Sequence, residues 1–492
     1  MTDIKTKAIS GVKWTTISKT YQSVVAILQV AILTRFLSKE DFGVMGIALL
    51  LNSFCSIFVD MGMSAAAMHE QNLTKERFSS FYWFNLLSGV VLTLGLGFCA
   101  PLVAKCYHND ELIGIVSLTS LLIFIHSLSS LQRTMQQKKM NFGFMSKVDM
   151  IASTLIILAN IIMAINGFGV YSLVWSSLIG ASFTALAYLW IAITKEKNIL
   201  FHFNFSEIKE ALRIGVYQVG SSSLDFFSRE MDSLIISSFM SLELFGVYTL
   251  FKNITMRIYH VINPIVTNVL TPVFALMQDC TEKVSLSYIK SVEYLGFVNF
   301  LIYALIAISS YSFITILYGA SYSDYSFVLV CLALFYAFQS CGNPVGALLV
   351  GLGRTDKGFY WTIFRIVFTA VYLFIASQFS LNIFVFFIFL IPQFTSFPSW
   401  WIIFRKITTI SFSQYYMLSM KPFLMCVPFI PLYFLDRMID SPYIGLPVVC
   451  LLFTIGYLGI NYLFRKDLCL SMISIVKKNL HKGSKSETAI IN

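Results

Sequence analysis

The chain has 492 residues, 57% of them hydrophobic and only 12% charged, and carries a formal net charge of +10. Soluble domains carry about a quarter charged residues, so this composition excludes a water-soluble globular protein. Nucleic-acid binding is excluded as well, because the positive charge lies in short connections between apolar stretches and no soluble basic face carries it.

Fourteen apolar stretches are long enough to cross a bilayer, which takes about 20 residues. They lie near 12–36, 42–66, 79–104, 112–132, 145–166, 168–193, 210–237, 244–274, 287–318, 326–350, 359–377, 380–403, 418–436 and 440–464. In lipid the backbone must satisfy its own polar groups, and the alternation of a barrel strand is missing, so each stretch reads as a helix. The first is interrupted by Thr15, Thr16, Ser18 and Lys19 and has no small-residue cleavage site after it, which marks a membrane helix and not a cleaved signal.

Between the first two helices Phe36–Val44 reads FLSKEDFGV, and Phe239–Val247 reads FMSLELFGV; six of the nine positions agree at an offset of 203. The offset spans six helices, an even number, so both copies cross in the same sense and the repeat is parallel, about an axis along the membrane normal. The expected fold class is therefore all-α: a polytopic membrane protein with about 14 transmembrane helices, two parallel-repeat six-helix lobes plus two C-terminal helices. Residues 1–198 form the first lobe, 199–407 the second, and 408–466 the last two helices, while 467–492 read as a basic, disordered tail.

Of the 35 lysines and arginines, 26 fall in connections on the side of the N-terminus, and only Arg35, Lys39, Lys105 and Arg437 fall on the other. Positive charge stays inside, so both termini are expected in the cytoplasm. The connections are too short to house a catalytic domain, which weighs against a membrane polymerase or ligase. The longest, about 194–209, joins the two halves and reads as a solvated linker, with a lateral amphipathic segment as the other option. Nine cysteines are scattered and six histidines show no ligand spacing, so no metal site or cofactor is expected.

Ionisable groups inside membrane helices are costly and face a cavity or a partner. In the seventh helix Gln218, Ser222, Asp225, Arg229 and Asp232 recur at spacings of four, three, four and three, a single stripe down one face. At the repeat offset the first helix has Thr15, Lys19, Gln22, Ala26 and Gln29, polar at four of five positions. Two readings stand for Asp225, Arg229 and Asp232: a hydrophilic cavity wall, or a salt-bridge ladder within the helix. Glu230 lies about 100° off the stripe, toward another helix. The eighth helix adds Lys252, Arg257 and His260, and the eleventh adds Arg365. Lys19, Arg229, Lys252, Arg257 and Arg365 outnumber Asp225, Glu230 and Asp232, a surplus suited to a diphosphate or an acidic sugar. Asp60 and its repeat counterpart Asn263 read as helix-end or gate contacts, with Pro264 beside Asn263 as a bend.

Several motifs give the chain a resemblance over residues 5–465: Phe58–Met63 (FVDMGM), Gly167–Val174 (GFGVYSLV), Met231–Ile236 (MDSLII), Phe245–Leu250 (FGVYTL), Thr271–Asp279 (TPVFALMQD), Leu317–Gly319 (LYG) and Gly351–Asp356 (GLGRTD). In this order it resembles the polysaccharide transporters of the multidrug/oligosaccharidyl-lipid/polysaccharide superfamily, closest to Wzx-type flippases of the colanic-acid exporter kind. It departs from them at Ser237 and Ser238, where the family often has a basic residue, and at Lys252, where arginine is common. The resemblance implies a non-enzymatic flippase of undecaprenyl-diphosphate-linked oligosaccharide in a bacterial inner membrane, working by alternating access beside polymerase and chain-length machinery. The coupling ion, a proton or sodium, is left open. A cation-coupled drug antiporter of the same superfamily is the alternative within transport.

Overall fold

The computed structural model describes residues 2–472, apart from the side chains of residues 2–9, 214, 264–266 and 268; the expected disorder of the tail lies outside the described residues beyond 472. The described residues form helices and no strand. In chain order these are α1 (Thr2–Leu33), α2 (Lys39–Asp60), α3 (Met63–His69), α4 (Lys75–Tyr107), α5 (Glu111–Ser127), α6 (Ser130–Lys138), α7 (Phe142–Ile165), α8 (Tyr171–Ile191), α9 (Phe205–Phe239) and α10 (Leu242–Leu276). They continue with α11 (Thr281–Ile308), α12 (Ser310–Leu317), α13 (Ser326–Gly342), α14 (Pro344–Gly351), α15 (Thr355–Ala376), α16 (Leu381–Ser399), α17 (Arg405–Ile407), α18 (Phe412–Cys426), α19 (Ile430–Met438) and α20 (Pro442–Phe464).

All fourteen apolar stretches coincide with helices, and five of them are each broken into two. Among the described residues twelve spans are long and apolar enough to cross a membrane. The remaining two stretches are α9 and α10, of 35 residues each. The breaks have local causes. Between α2 and α3 the chain turns through Met61 (φ 38°) and Gly62 (φ 83°), and Asp60 accepts from the Ser64 amide (3.1 Å) and hydroxyl (2.5 Å) to cap α3. Pro344 opens α14 just after α13 ends. Between α11 and α12 the carboxylate of buried Asp436 accepts from the Ser312 amide at 3.0 Å.

The chain divides into two compact units, one of Met1–Ile254 and Thr362–Leu381, the other of Thr255–Trp361 and Asn382–Asn492. In the first unit α3, α4, α6 and the start of α9 share a core of Met63, Ala67, Phe78, Phe81, Tyr82, Leu131, Ile208 and Ala211. In the second, α11 packs on α13 through Tyr303 stacked on Tyr336 and Phe300 edge-on to Phe338. The Tyr303 hydroxyl donates to the Thr255 carbonyl of α10 at 3.0 Å.

The repeated turn has a structural meaning inside the first unit. Ser38 caps α2 in a reciprocal box with Asp41, whereas its counterpart Ser241 only accepts from the Leu244 amide, because Leu244 replaces the carboxylate. The two copies then meet each other. A Cβ on Gly43 would strike the Leu242 carbonyl, and one on Gly246 would strike the Lys39 carbonyl, the same contact with the halves exchanged. Lys39 and Glu243 bridge across this crossing at 3.1 Å. At the far end of α2, Gly62 and Gly215 approach as closely, so α2 is held to the second copy's helices at both ends.

The 194–209 linker differs from the loose solvated segment expected from sequence: most of its residues are exposed, but between Asn198 and Asn204 its backbone is tied to α4, because Ser79, Ser80 and Trp83 supply partners that it would otherwise seek in water.

Replacing Gly246 with Val forces a branched side chain against backbone, which has no rotamer to yield; overpacking of this kind costs roughly 1–3 kcal/mol or more. Gly246→Val should lower the melting temperature of the detergent-solubilised protein, followed by fluorescence-detected size exclusion. Gly95→Ala, with nothing near its Cβ, should leave it unchanged or raised.

Candidate functional site

The charged residues of α9 and the first half of α10 fall into two groups in the first unit. The first is a closed cluster. The Lys252 ammonium, its side chain 6% exposed, donates to Glu230 Oε2 at 2.8 Å, Asp232 Oδ1 at 2.9 Å and Ser233 Oγ at 2.7 Å. Ser233 in turn donates to Glu230 at 2.9 Å, and the Tyr248 hydroxyl donates to Asp232. An ammonium has three donors and no acceptor, so these partners use its full capacity. A lysine taken out of water is tolerated only with such pairing.

The second group lies open. Arg229 is exposed, and its Nε donates only to the Asp225 carbonyl, one turn back, at 3.4 Å. Among the described residues neither Asp225 nor Asp232 forms an ion pair with Arg229, so the salt-bridge ladder is not formed. Asp225 and Gln218 are exposed on the same stripe, and Ser222 and Asp232 are half-buried. Arg365, on α15 and in the same unit, donates to Ser228 Oγ.

On α1, Lys19 is exposed. Gln22 is half-buried and donates to Ser18 Oγ at 2.9 Å, which itself donates to the Ser146 carbonyl of α7 at 3.3 Å. Gln22 therefore belongs as much to the α1–α7 seam as to the stripe, while Gln29 is half-buried. Asp60 is a helix cap, as its position at a helix end suggested.

In the second unit Arg257 is exposed on α10, one turn from His260, whose ring meets Tyr259 edge-on at 5.5 Å. Asn263 is buried and donates to the Tyr259 carbonyl at 2.9 Å and to Ser340 Oγ at 3.2 Å, a link to α13. α10 runs unbroken through Pro264, whose side chain lies outside the described ones. Among the described residues no group of three or more His, Cys, Asp or Glu side chains could hold a metal ion.

Sequence reasoning named Lys252 but did not join Tyr248 and Ser233 to it. A signal was present: Asp232 and Ser233 sit in MDSLII, Tyr248 sits in FGVYTL, and Lys252 follows it by two residues. The two motifs meet in this cluster.

A family model described as "Polysaccharide biosynthesis protein" matches residues 32–327. The teichuronic acid biosynthesis protein TuaB of Bacillus subtilis (strain 168) is 27% identical over 86% of this chain and 88% of its own. The lipopolysaccharide biosynthesis protein WzxC of Escherichia coli (strain K12) is 23% identical over 86% of both. Among solved structures, the lipid II flippase MurJ in an inward closed conformation has the same fold, with a TM-score of 0.71 at 12% identity over 93% of this chain and 99% of that one. An inward-facing multidrug resistance transporter of the MATE family gives a TM-score of 0.55 at 15% identity over 84% and 95%. The chain belongs to the polysaccharide biosynthesis protein family. It is a multi-pass membrane protein.

Removing Lys252 strands two carboxylates that are largely out of water; breaking a buried pair costs about 3–5 kcal/mol. Lys252→Met should therefore accumulate poorly and melt several degrees lower in detergent. Adding Glu230→Gln and Asp232→Asn should recover most of that loss. A single variant as stable as the native chain would mean that the cluster holds nothing together.

Proposed function

We propose that this protein flips an undecaprenyl-diphosphate-linked oligosaccharide from the cytoplasmic to the outer leaflet of a bacterial inner membrane, both termini being cytoplasmic, by alternating access of its two repeat halves, residues 1–198 and 199–407. The observation that carries the reading is the contrast on α9 and α10. Lys252 is neutralised, whereas Arg229, on the same helix as the carboxylates, is left exposed with one weak backbone acceptor. An uncompensated arginine facing hydrocarbon costs several kcal/mol, so Arg229 and Lys19, both in the first unit, are best accounted for by a hydrated cavity that receives an anion. A guanidinium matches a diphosphate in shape and charge. Gln218, Ser222, Gln29 and Asp225 supply uncharged and acceptor groups that suit sugar hydroxyls. Lys252 with Asp232 acts by position, setting the register of α9 against α10.

Relatives support the class of cargo: one is a teichuronic acid biosynthesis protein, another a succinoglycan biosynthesis transport protein of Rhizobium meliloti, and the fold is shared with a lipid II flippase. The polymerase and chain-length machinery that would receive the flipped unit are its expected neighbours.

Arg229→Ala combined with Lys19→Ala should cut surface polysaccharide at least tenfold in a strain that depends on this chain, with unchanged amounts of protein in the membrane, since neither side chain is buried. Full export by the double variant would remove the cation cavity from the account.

A further inference from the structure

The junction of the two halves presents apolar surface in an unusual way. The span that contains α8 ends at Glu196, and α9 starts at Phe205. Between them four backbone groups are held to α4. Asn198 and Leu200 share Ser79 Oγ, at 3.0 and 2.8 Å; the Leu200 carbonyl accepts from the Trp83 indole at 2.7 Å; and the Asn204 amide donates to Ser80 at 3.0 Å. At the base, the Ser80 hydroxyl donates to Glu207 at 2.6 Å and holds that carboxyl below its ordinary range. This is a strap and not a loose loop.

The strap nevertheless turns its aromatic side chains outward. Phe201 is fully exposed, at 101%, with its ring stacked on Trp83 at 5.6 Å, and Phe203 and Phe205 are more than half exposed. Trp190 and Ile193, just before it, are exposed too. Leaving such side chains in water forgoes about 1.5–3 kcal/mol each. Depth explains them. The α4 span begins at Lys75, and the strap's partners on it are Ser79, Ser80 and Trp83, which lie about 6–12 Å along the helix at 1.5 Å per residue. The strap is therefore level with the first turns of a membrane helix. Around it stand exposed cations, Lys195 (over the Trp190 ring at 5.5 Å), Lys197, Lys209 and Arg213. Aromatic rings beside lysines and arginines at that level match a membrane–water interface with anionic headgroups.

We propose that residues 197–205 form an interfacial anchor: Phe201, Phe203 and Phe205 enter the headgroup boundary, and Lys195, Lys197 and Lys209 bind anionic phospholipid there. The anchor fixes the junction of the halves to one leaflet.

The test uses the full chain in liposomes of equal phosphatidylglycerol and phosphatidylcholine, with a genetically encoded fluorescent amino acid at position 201 and, separately, at 203. Phe201 packs on one ring only, so the probe displaces little. Lipid brominated on its acyl chains should quench the probe, and brominated phosphatidylglycerol should do so several-fold more than brominated phosphatidylcholine. The combined change Lys195→Gln, Lys197→Gln and Lys209→Gln should keep the quenching and abolish the preference. Quenching by aqueous acrylamide with none by brominated lipid overturns the anchor and marks a surface for water or a partner protein. Equal quenching by both lipids, or a preference that survives the lysine changes, overturns the headgroup site.

Discussion

A bilayer gives a charged side chain no water, so every lysine or arginine inside it must be paired, hydrated by a cavity or covered by a ligand. In this protein that constraint sorts the embedded cations by their surroundings. Lys252 is enclosed by Glu230, Asp232 and Ser233, with Tyr248 closing on Asp232. Arg229, whose own carbonyl lies 3.4 Å from the Lys252 ammonium, points away from that cluster with a single backbone acceptor. One helix thus carries a structural charge on one face and an available one on another. The first fixes how α9 lies against α10, and the second is what a diphosphate could use.

That arrangement depends on how closely the two copies of the repeated turn approach. Gly43 and Gly246 leave no room for a side chain against Leu242 and Lys39. Backbone contact of this kind replaces the hydrophobic drive that helices lack in lipid. It places the start of α10, and with it Tyr248 and Lys252, beside the end of α9. The repeat that reveals a duplication in the sequence is therefore also the seam where its copies touch within the first unit.

The helices were legible because length and apolarity are written residue by residue. The position of Asp60 at a helix end was legible for the same local reason. What sequence could not supply was rotation. The spacing of Asp225, Arg229 and Asp232 suits an internal ladder, yet Asp232 turns to α10, and only the packing of two helices decides between these. Glu230, read as lying off the stripe and toward another helix, pairs with Lys252 of α10. The linker was misread for a related reason: its polar residues suggest solvent, but its hydrogen bonds are satisfied by Ser79, Ser80 and Trp83, which lie more than 100 positions away along the chain.

The proposed flipping step is tested most directly by the leaflet distribution of the lipid-linked oligosaccharide in a strain lacking this gene. The account predicts that the lipid-linked unit accumulates in the inner leaflet, shielded from reagents added to the outer face, and becomes accessible when the intact chain is restored. Equal accessibility with and without the protein would contradict it.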